Sequence, residues 1–538
     1  MSVYGEFILK HAPLVLTQID RDEDSKTYGC CDRNHWHLKI RDFSSAILQQ
    51  SGLAILMLAR MDFSGNIYYG NENVEKWAKA TLDYWTTIQL PDGTFDEYYP
   101  WEHGFPPTAF SLYTACEIYR RQELEDTRIK KYIRRTADYL CAHIEKDACN
   151  QEIASITALY DAYLVLQSEH ILNGMEQKLQ RILALQNEDG WFAEYGGADI
   201  GYLSVSFDML AEYYWLSKDE RVLPSLKRIF TFIKHFIHPD GTAGGEYGSR
   251  NTIYLLPNGF EVLAQLGDGE AEAIIRKLYT TCGQYNYFLD SVDDRYLSHY
   301  VLHSFCRALE KRINGRSCTP GTLPYEREHF TVFRGSGLIS FSKGACCGII
   351  SLQKGGIVKL YHNNKEVLID CGYRIVVKNG VVATTNWQDN SYNINYGDHE
   401  YLVCGEFNQI KQKTVSPFTH IPLRVLSFLV GNRIIHFLKK QIILVDNHAP
   451  IHFRRTIKFD ADKIFIKDVI NNHGKREYEL KPASNISLRH VASGKFFTTS
   501  DLFKPIGHEK YVLKEQLVLH TEVNLIDGSI NRYETEKN

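Results

Sequence analysis

Asp189-Gly190-Trp191-Phe192 is a turn that follows a segment of helical period, and its composition recurs at Asp92-Gly93-Thr94-Phe95 and Asp240-Gly241-Thr242. The three turns stand 97 and 51 residues apart. A loop at Asp147–Asn150 halves the longer interval, and Asp290–Asp294 begins 50 residues beyond Asp240. A unit of roughly fifty residues is two helices plus their connections, and a fixed period marks a repeat architecture. With the loop around Arg33–Asp42 added, the punctuation predicts about six helical hairpins. Closed on themselves, such hairpins form an (α/α) toroid whose loops open on one face. Loop residues then gather around one central cleft, where binding and chemistry belong.

The stretches between the turns agree. Val74–Gln89, Ile129–Ile144, Glu152–Leu166 and Leu223–Ile237 repeat apolar residues at three- and four-residue steps. Most carry apolar residues on more than one face, as helices in two concentric layers must. The helical period holds from Phe43 to near Leu309 and changes after Asn314–Pro324, a stretch with Gly, Pro and Ser. Phe330–Phe341, Ile357–Leu360, Val367–Asp370 and Ile434–Val445 are rich in β-branched or aromatic residues, with turn pairs Asn363-Asn364 and Asn471-Asn472 between such runs. Helices first and strands afterwards predict separate layers. The expectation is a multidomain α and β protein, with an (α/α) toroid over residues 1–318 and an antiparallel β-sandwich domain over 325–538.

Bulk properties narrow the function classes. At 538 residues the chain is too long for one growing core. A net charge of -4 supplies no basic field for nucleic acid, so an anionic ligand must be met by a local cluster. The 33 Tyr and 27 Phe suit sugar stacking and core filling equally. Among the 12 cysteines, Cys30-Cys31 and Cys346-Cys347 are adjacent pairs, and the set is read as mostly buried, reduced thiols. Cys30, Cys31, His35 and His37 match no zinc spacing, so no metal is expected. Asp42 is placed near the N-cap of a helical run starting at Phe43. There is no phosphate loop, dinucleotide fingerprint or nucleophile elbow, hence no expected cofactor. No apolar run is long enough for a membrane span. Phe7–Leu16 is broken by Lys10, His11 and Pro13 and does not resemble a secretory signal. That predicts a cytoplasmic protein, or a periplasmic or secreted one if a leader has been removed; oligomeric state stays open.

The loop ends are dense in polar groups. Asp96 to His103 follows the first turn, including Glu97, Trp101 and Glu102. Glu194-Tyr195 and Asp199 to Tyr202 follow the next, and Gly244 to Asn251 the third, including Glu246, Tyr247 and Arg250. Glycines there permit close backbone approach to a ligand. Arg250 offers a planar fork of donors for a carboxylate or sulfate. The rival reading is that these acids and arginines brace the toroid rim.

Gly201-Tyr202-Leu203-Ser204-Val205-Ser206-Phe207-Asp208-Met209-Leu210, just after Trp191-Phe192-Ala193-Glu194, resembles the segment of heparinase II/III-type polysaccharide lyases that carries the catalytic tyrosine. In that family the tyrosine follows a Phe-Glu turn and opens a helix. Asn150-Gln151-Glu152, leading into Ala158-Leu159, resembles the family's Asn-His pair at a helix start. Leu360 to Gly372 resembles the hairpin where the family's β-domain begins in earnest. Two departures stand out: Gln151 replaces the histidine, and Leu352-Gln353-Lys354-Gly355-Gly356-Ile357 lacks the family's His-x-Asp.

The resemblance implies β-elimination on an acidic, uronate-containing polysaccharide or oligosaccharide, without a cofactor. Asn150 and Gln151 would neutralise the sugar carboxylate, since amides can donate to it and to the developing enolate. Tyr202 would serve as base and then acid; an unperturbed tyrosine titrates near 10, and a cation such as Arg250 favours its phenolate. Arg250, Glu246, Tyr247, Asn251, Glu194, Tyr195, Glu97, Trp101, His103 and His299 are the candidate sugar contacts. His103, His299 and His303 could also replace the absent histidines. Rival activities on the same scaffold are a uronyl C5-epimerase, a glycoside hydrolase using a pair among Glu97, Glu102, Glu194 and Glu246, and a non-catalytic glycan-binding factor of surface polysaccharide production.

Overall fold

The structure, a computed structural model, describes residues 3–280, 291–316, 318–377, 381–411, 416–431, 447–485, 497 and 510–534. Among these residues, an inner ring is built from α2 (Ser51–Arg60), α4 (Phe105–Arg121), α6 (Cys149–Leu166), α8 (Ile200–Ser217), α10 (Asn258–Gln265) and α12 (Leu302–Asn314). Each inner helix packs on the next, and α12 packs on α2, which closes the circle. Behind them lie α3 (Glu72–Thr87), α5 (Thr127–Ala142), α7 (Glu169–Leu185), α9 (Leu223–Ile233) and α11 (Gly269–Tyr279). The outer partner of α12 comes from the other end of the chain: α1 (Gly5–Gln18), whose Phe7 ring stacks on Phe305 at 4.0 Å.

Apolar patterning sorts the two layers. The inner α2 reads SGLAILMLAR and is buried from Ser51 to Ala59. The outer α5 buries one stripe, Ile129, Ile133, Thr136, Ala137 and Leu140, and turns its lysines and most of its arginines outward. The Phe7–Leu16 stretch is likewise a stripe, burying Phe7, Ile8, His11, Ala12, Val15 and Leu16. One local expectation is corrected. Asp42 caps no helix, because helical turn begins only at Ala46 after an extended Ser45, and Asp42 instead pairs with Arg424 at 2.7 Å.

The strands form two antiparallel sheets. Phe330–Phe341 splits at the Arg334–Gly337 turn into β1 (His329–Phe333) and β2 (Leu338–Lys343), joined by β3 (Cys346–Ser351), β4 (Ile357–His362) and β5 (Lys365–Asp370). A 10-stranded sheet covers them, with β6 (Glu400–Lys411), β7 (His448–Asp460), β8 (Lys463–Asn472) and β9 (Gln516–Asn524) at its centre. Alternation along the small sheet makes it the middle layer. Phe333, Leu338, Ile349 and Ile357 join the toroid core. Ile339, Phe341, Ile350, Val358 and Leu360 pack with Tyr401, Val403, Phe453 and Ile466 of the large sheet. The expected strand Ile434–Val445 lies outside the described residues. The cysteines described are free thiols, most of them buried. No described helix is long and apolar enough to cross a membrane.

Candidate active site

Asp199 organises the loop face. As N-cap of α8, its Oδ1 accepts the Tyr202 backbone N–H at 3.1 Å and the Thr252 hydroxyl. Its Oδ2 accepts the backbone N–H of Arg250 at 2.9 Å. One carboxylate therefore fixes both the helix turn that bears Tyr202 and the loop that bears Arg250. The Arg250 guanidinium lies 4.5 Å from the centre of the Tyr195 ring, a cation–π contact. The Gln151 side chain reaches the Tyr195 hydroxyl. Glu194 Oε1 accepts the Asn150 backbone N–H at 2.8 Å. Asn150, Gln151, Glu194, Tyr195, Asp199, Tyr202 and Arg250 are thus joined by continuous contacts across the loops that precede α6, α8 and α10.

Within this cluster Asn150 Nδ2, Gln151 Oε1 and Glu194 Oε2 are buried and make no hydrogen bond among the described residues. Such atoms are costly and call for a partner. Burial, reinforced by the charge of Asp199 and opposed by Arg250, holds the Glu194 carboxyl well above the usual carboxylate range.

An aromatic wall continues the site. The Tyr202 ring meets Tyr254 edge-on at 6.2 Å, and the Tyr300 hydroxyl donates to that of Tyr254 at 2.7 Å. Arg295, following the sixth loop, pairs with Glu97 and lies 5.0 Å over the Tyr98 ring. Tyr98 and Trp101 expose 47% and 40% of their surface. Trp101, His103, Tyr195 and Asn251 take φ of 59, 53, 52 and 56°, a left-handed conformation uncommon for residues with side chains. Strain of this kind persists where function requires a particular geometry.

The remaining candidates divide. His103 Nδ1 lies 2.7 Å from Asp92 Oδ2, and the hydrogen bond to Asp92 raises its pKa. His299 is buried against Tyr300 and Phe110, and burial pushes its pKa well down, so it is a neutral imidazole. His303 is buried deeper, with Nε2 3.2 Å from Gln50 Oε1. Glu97 and Glu102 brace the second loop, the former through Arg295, the latter by accepting the Glu97 and Tyr98 N–H groups at 2.8 and 2.7 Å. Three further expected sugar contacts have side-chain partners inside the protein. Glu246 pairs with Lys359 at 3.0 Å, Tyr247 is 1% exposed with its hydroxyl 2.8 Å from His238 Nε2, and Asn251 bonds Lys354 and the Asn485 carbonyl.

Sequence reasoning missed Asp199 as a clasp, and also Tyr98, Tyr254, Arg295, Tyr300 and Lys354. Tyr254 follows Arg250 by four residues and Arg295 adjoins the Asp290–Asp294 loop, so proximity to the punctuation could have nominated both. Lys354 carried no such signal. Among the described residues, no three His, Cys, Asp or Glu side chains group as a metal site requires.

The closed ring of helical hairpins with a sandwich of antiparallel sheets defines the class: an α/α toroid with a β-sandwich domain. Heparinase III shares this fold, with a TM-score of 0.52 at 11% identity over 99% of this chain and 83% of that one. A Paenibacillus xanthan lyase aligns over 89% of this chain with a TM-score of 0.49 at 11% identity. This chain spans 46% of that protein's length. Heparan sulfate lyase HepC of Pedobacter heparinus aligns over 100% of this chain and 84% of its own, at 9% identity and a TM-score of 0.39. No protein-family profile matches the sequence, and no curated protein does.

Proposed function

We propose that the protein is a polysaccharide lyase that cleaves an acidic, uronate-containing glycan by β-elimination. The observation that carries this reading is the continuous chain of contacts from Asn150 and Gln151 through Glu194, Tyr195, Arg250 and Asp199 to Tyr202. A sugar carboxylate seated there meets the Asn150 amide donor and the Glu194 carboxyl, whose proton burial holds more tightly than usual, beside the charge of Arg250. Hydrogen bonds from these groups stabilise the enolate that forms when the neighbouring carbon loses its proton. The Tyr202 phenolate takes that proton, the electron pair forms the new carbon–carbon double bond, and the glycosidic bond breaks. The phenol then returns the proton to the departing oxygen. Gln151 cannot shuttle protons, His299 and His303 are buried, and His103 is engaged by Asp92 and Thr94, so in this reading one phenol performs both steps.

The same geometry argues against a hydrolase. Of the four carboxylates such a mechanism would draw on, Glu97 and Glu246 are paired with Arg295 and Lys359, and Glu102 accepts the Glu97 N–H.

The test is a panel of acidic glycans, followed by the ultraviolet absorbance of an unsaturated uronide. Tyr202→Phe should lose activity on the order of a hundredfold or more while still binding the glycan. A fully active Tyr202→Phe enzyme, or saturated products, overturns the mechanism.

A further inference from the structure

The segment 244–252, which carries Arg250, is closed by a few backbone bonds of its own, such as Gly245 N–H to the Thr252 carbonyl at 2.9 Å, and is held by side chains from outside it. It contains no helix or strand, and Gly244, Gly245 and Asn251 take φ of 65, 110 and 56°. The toroid holds it through Asp199, through the Ala198 carbonyl, which accepts the Ser249 N–H at 2.8 Å, and through the Glu194 carbonyl, which accepts the Ser249 hydroxyl at 3.1 Å; further bonds arrive from the small sheet. Lys359, on β4, pairs with Glu246 at 3.0 Å. Lys354, on the turn between β3 and β4, donates to the Gly248 carbonyl at 2.5 Å and to Asn251 Oδ1. These two acceptors bracket Arg250 on either side. The turn is built for the reach: a Cβ at Gly355 would lie 2.2 Å from the Thr385 carbonyl oxygen, so only glycine lets the chain fold beneath Lys354.

Lys354 is 3% exposed. A desolvated ammonium is costly unless its N–H groups are taken up, and two acceptors come from this one loop. Residues 248–251, in the form seen with Asn251 in its left-handed conformation, take up two of the ammonium N–H groups. That form lays the Arg250 guanidinium over Tyr195. We propose that Lys354 is a positioning residue through which the β-sandwich domain shapes the anion-binding loop of the toroid. The task assigned to Arg250 rests on the lyase reading; the clamp itself does not.

Two readouts keep the questions apart. Amide hydrogen exchange over residues 244–252 reports the clamp without any substrate. Lys354→Met should raise exchange there by about tenfold or more while α4 and α6 stay protected. Lys354→Arg, which keeps the charge, should recover part of that protection. Lys311→Met removes another buried lysine, on α12, and should lower Tm without loosening the loop. On a glycan that the parent protein cleaves, Lys354→Met should lower kcat/KM by about tenfold to a hundredfold, mainly through KM, with an unchanged pH profile. Unaltered loop exchange in Lys354→Met sinks the proposal whatever the activity. If the parent cleaves no acidic glycan, the lyase reading falls and loop exchange alone decides the clamp.

Discussion

At the scale of single residues, the site depends on groups placed where their ordinary behaviour changes. Glu194 is 1% exposed, and burial raises its pKa well above the unfolded value of about 4.3. The folded protein thus keeps a proton that the unfolded chain gives up as pH climbs past that value. Stability from this group is greatest in acid and shrinks as pH rises. Glu194→Gln keeps an acceptor for the Asn150 N–H and carries no titrating proton. Its Tm relative to the parent should climb as pH rises above the unfolded value of about 4.3; parallel curves would mean that the carboxyl titrates normally. Arg250 makes a different demand, because its plane stacks on Tyr195 and a lysine has no plane to offer. Arg250→Lys should raise KM for the glycan by about tenfold or more at little cost in Tm. An unchanged KM would leave Arg250 with a structural role only.

At the scale of elements, the repeated Asp-Gly turns explain why the ring was legible. Gly93, Gly190 and Gly241 take φ of 89, 105 and 85°. A Cβ on Gly93 would lie 2.5 Å from the Arg135 carbonyl oxygen of α5, and one on Gly190 2.2 Å from that of Arg228 in α9. At Gly241 the nearest atom, the Lys277 carbonyl oxygen of α11, is 4.0 Å away. Each turn thus abuts the next outer helix, tightly at two sites and loosely at the third. Gly241→Ala should cost about 1 kcal/mol through φ alone, while Gly93→Ala and Gly190→Ala should cost about 3 kcal/mol. Equal losses at all three in chemical unfolding would contradict this account. Local demands of this kind write themselves into sequence, and so do the period of the hairpins and the helix start at Tyr202. Long-range convergence does not. Tyr247 looks like a loop aromatic until His238 is found against its hydroxyl, and Lys354 looks like turn punctuation until it is seen inside a loop 106 residues earlier. Asp42 misled because a plausible cap residue was followed by chain that stays non-helical to Ser45.

At the scale of the whole molecule, the ring is held by charges as well as by apolar packing. Arg307 of α12, fully buried, donates to Asp208 of α8 at 2.5 Å. Lys311 of α12 and Asn258 of α10 both donate to Glu212 of α8, at 2.8 and 3.0 Å. Arg307 also lies 5.3 Å over the Tyr113 ring of α4. Four inner helices therefore share one buried polar network, and α1 joins the chain's start to the same sixth hairpin. Burial by itself would push Glu212 up, but Lys311 and Arg307 outweigh it and hold the carboxyl down to about 2. A carboxyl lowered by folding adds stability above its unfolded pKa and loses it as pH falls through the folded one. Glu212→Gln strands the buried Lys311 ammonium and weakens the field around Arg307, and should cost about 3 kcal/mol at neutral pH. Because the parent alone gives up this stabilisation in acid, the gap between the two proteins should narrow as pH falls from about 4.5 toward about 2. Denaturant unfolding of both across that range is the measurement. A gap that stays constant would mean that α8 and α12 are joined by shape rather than by charge.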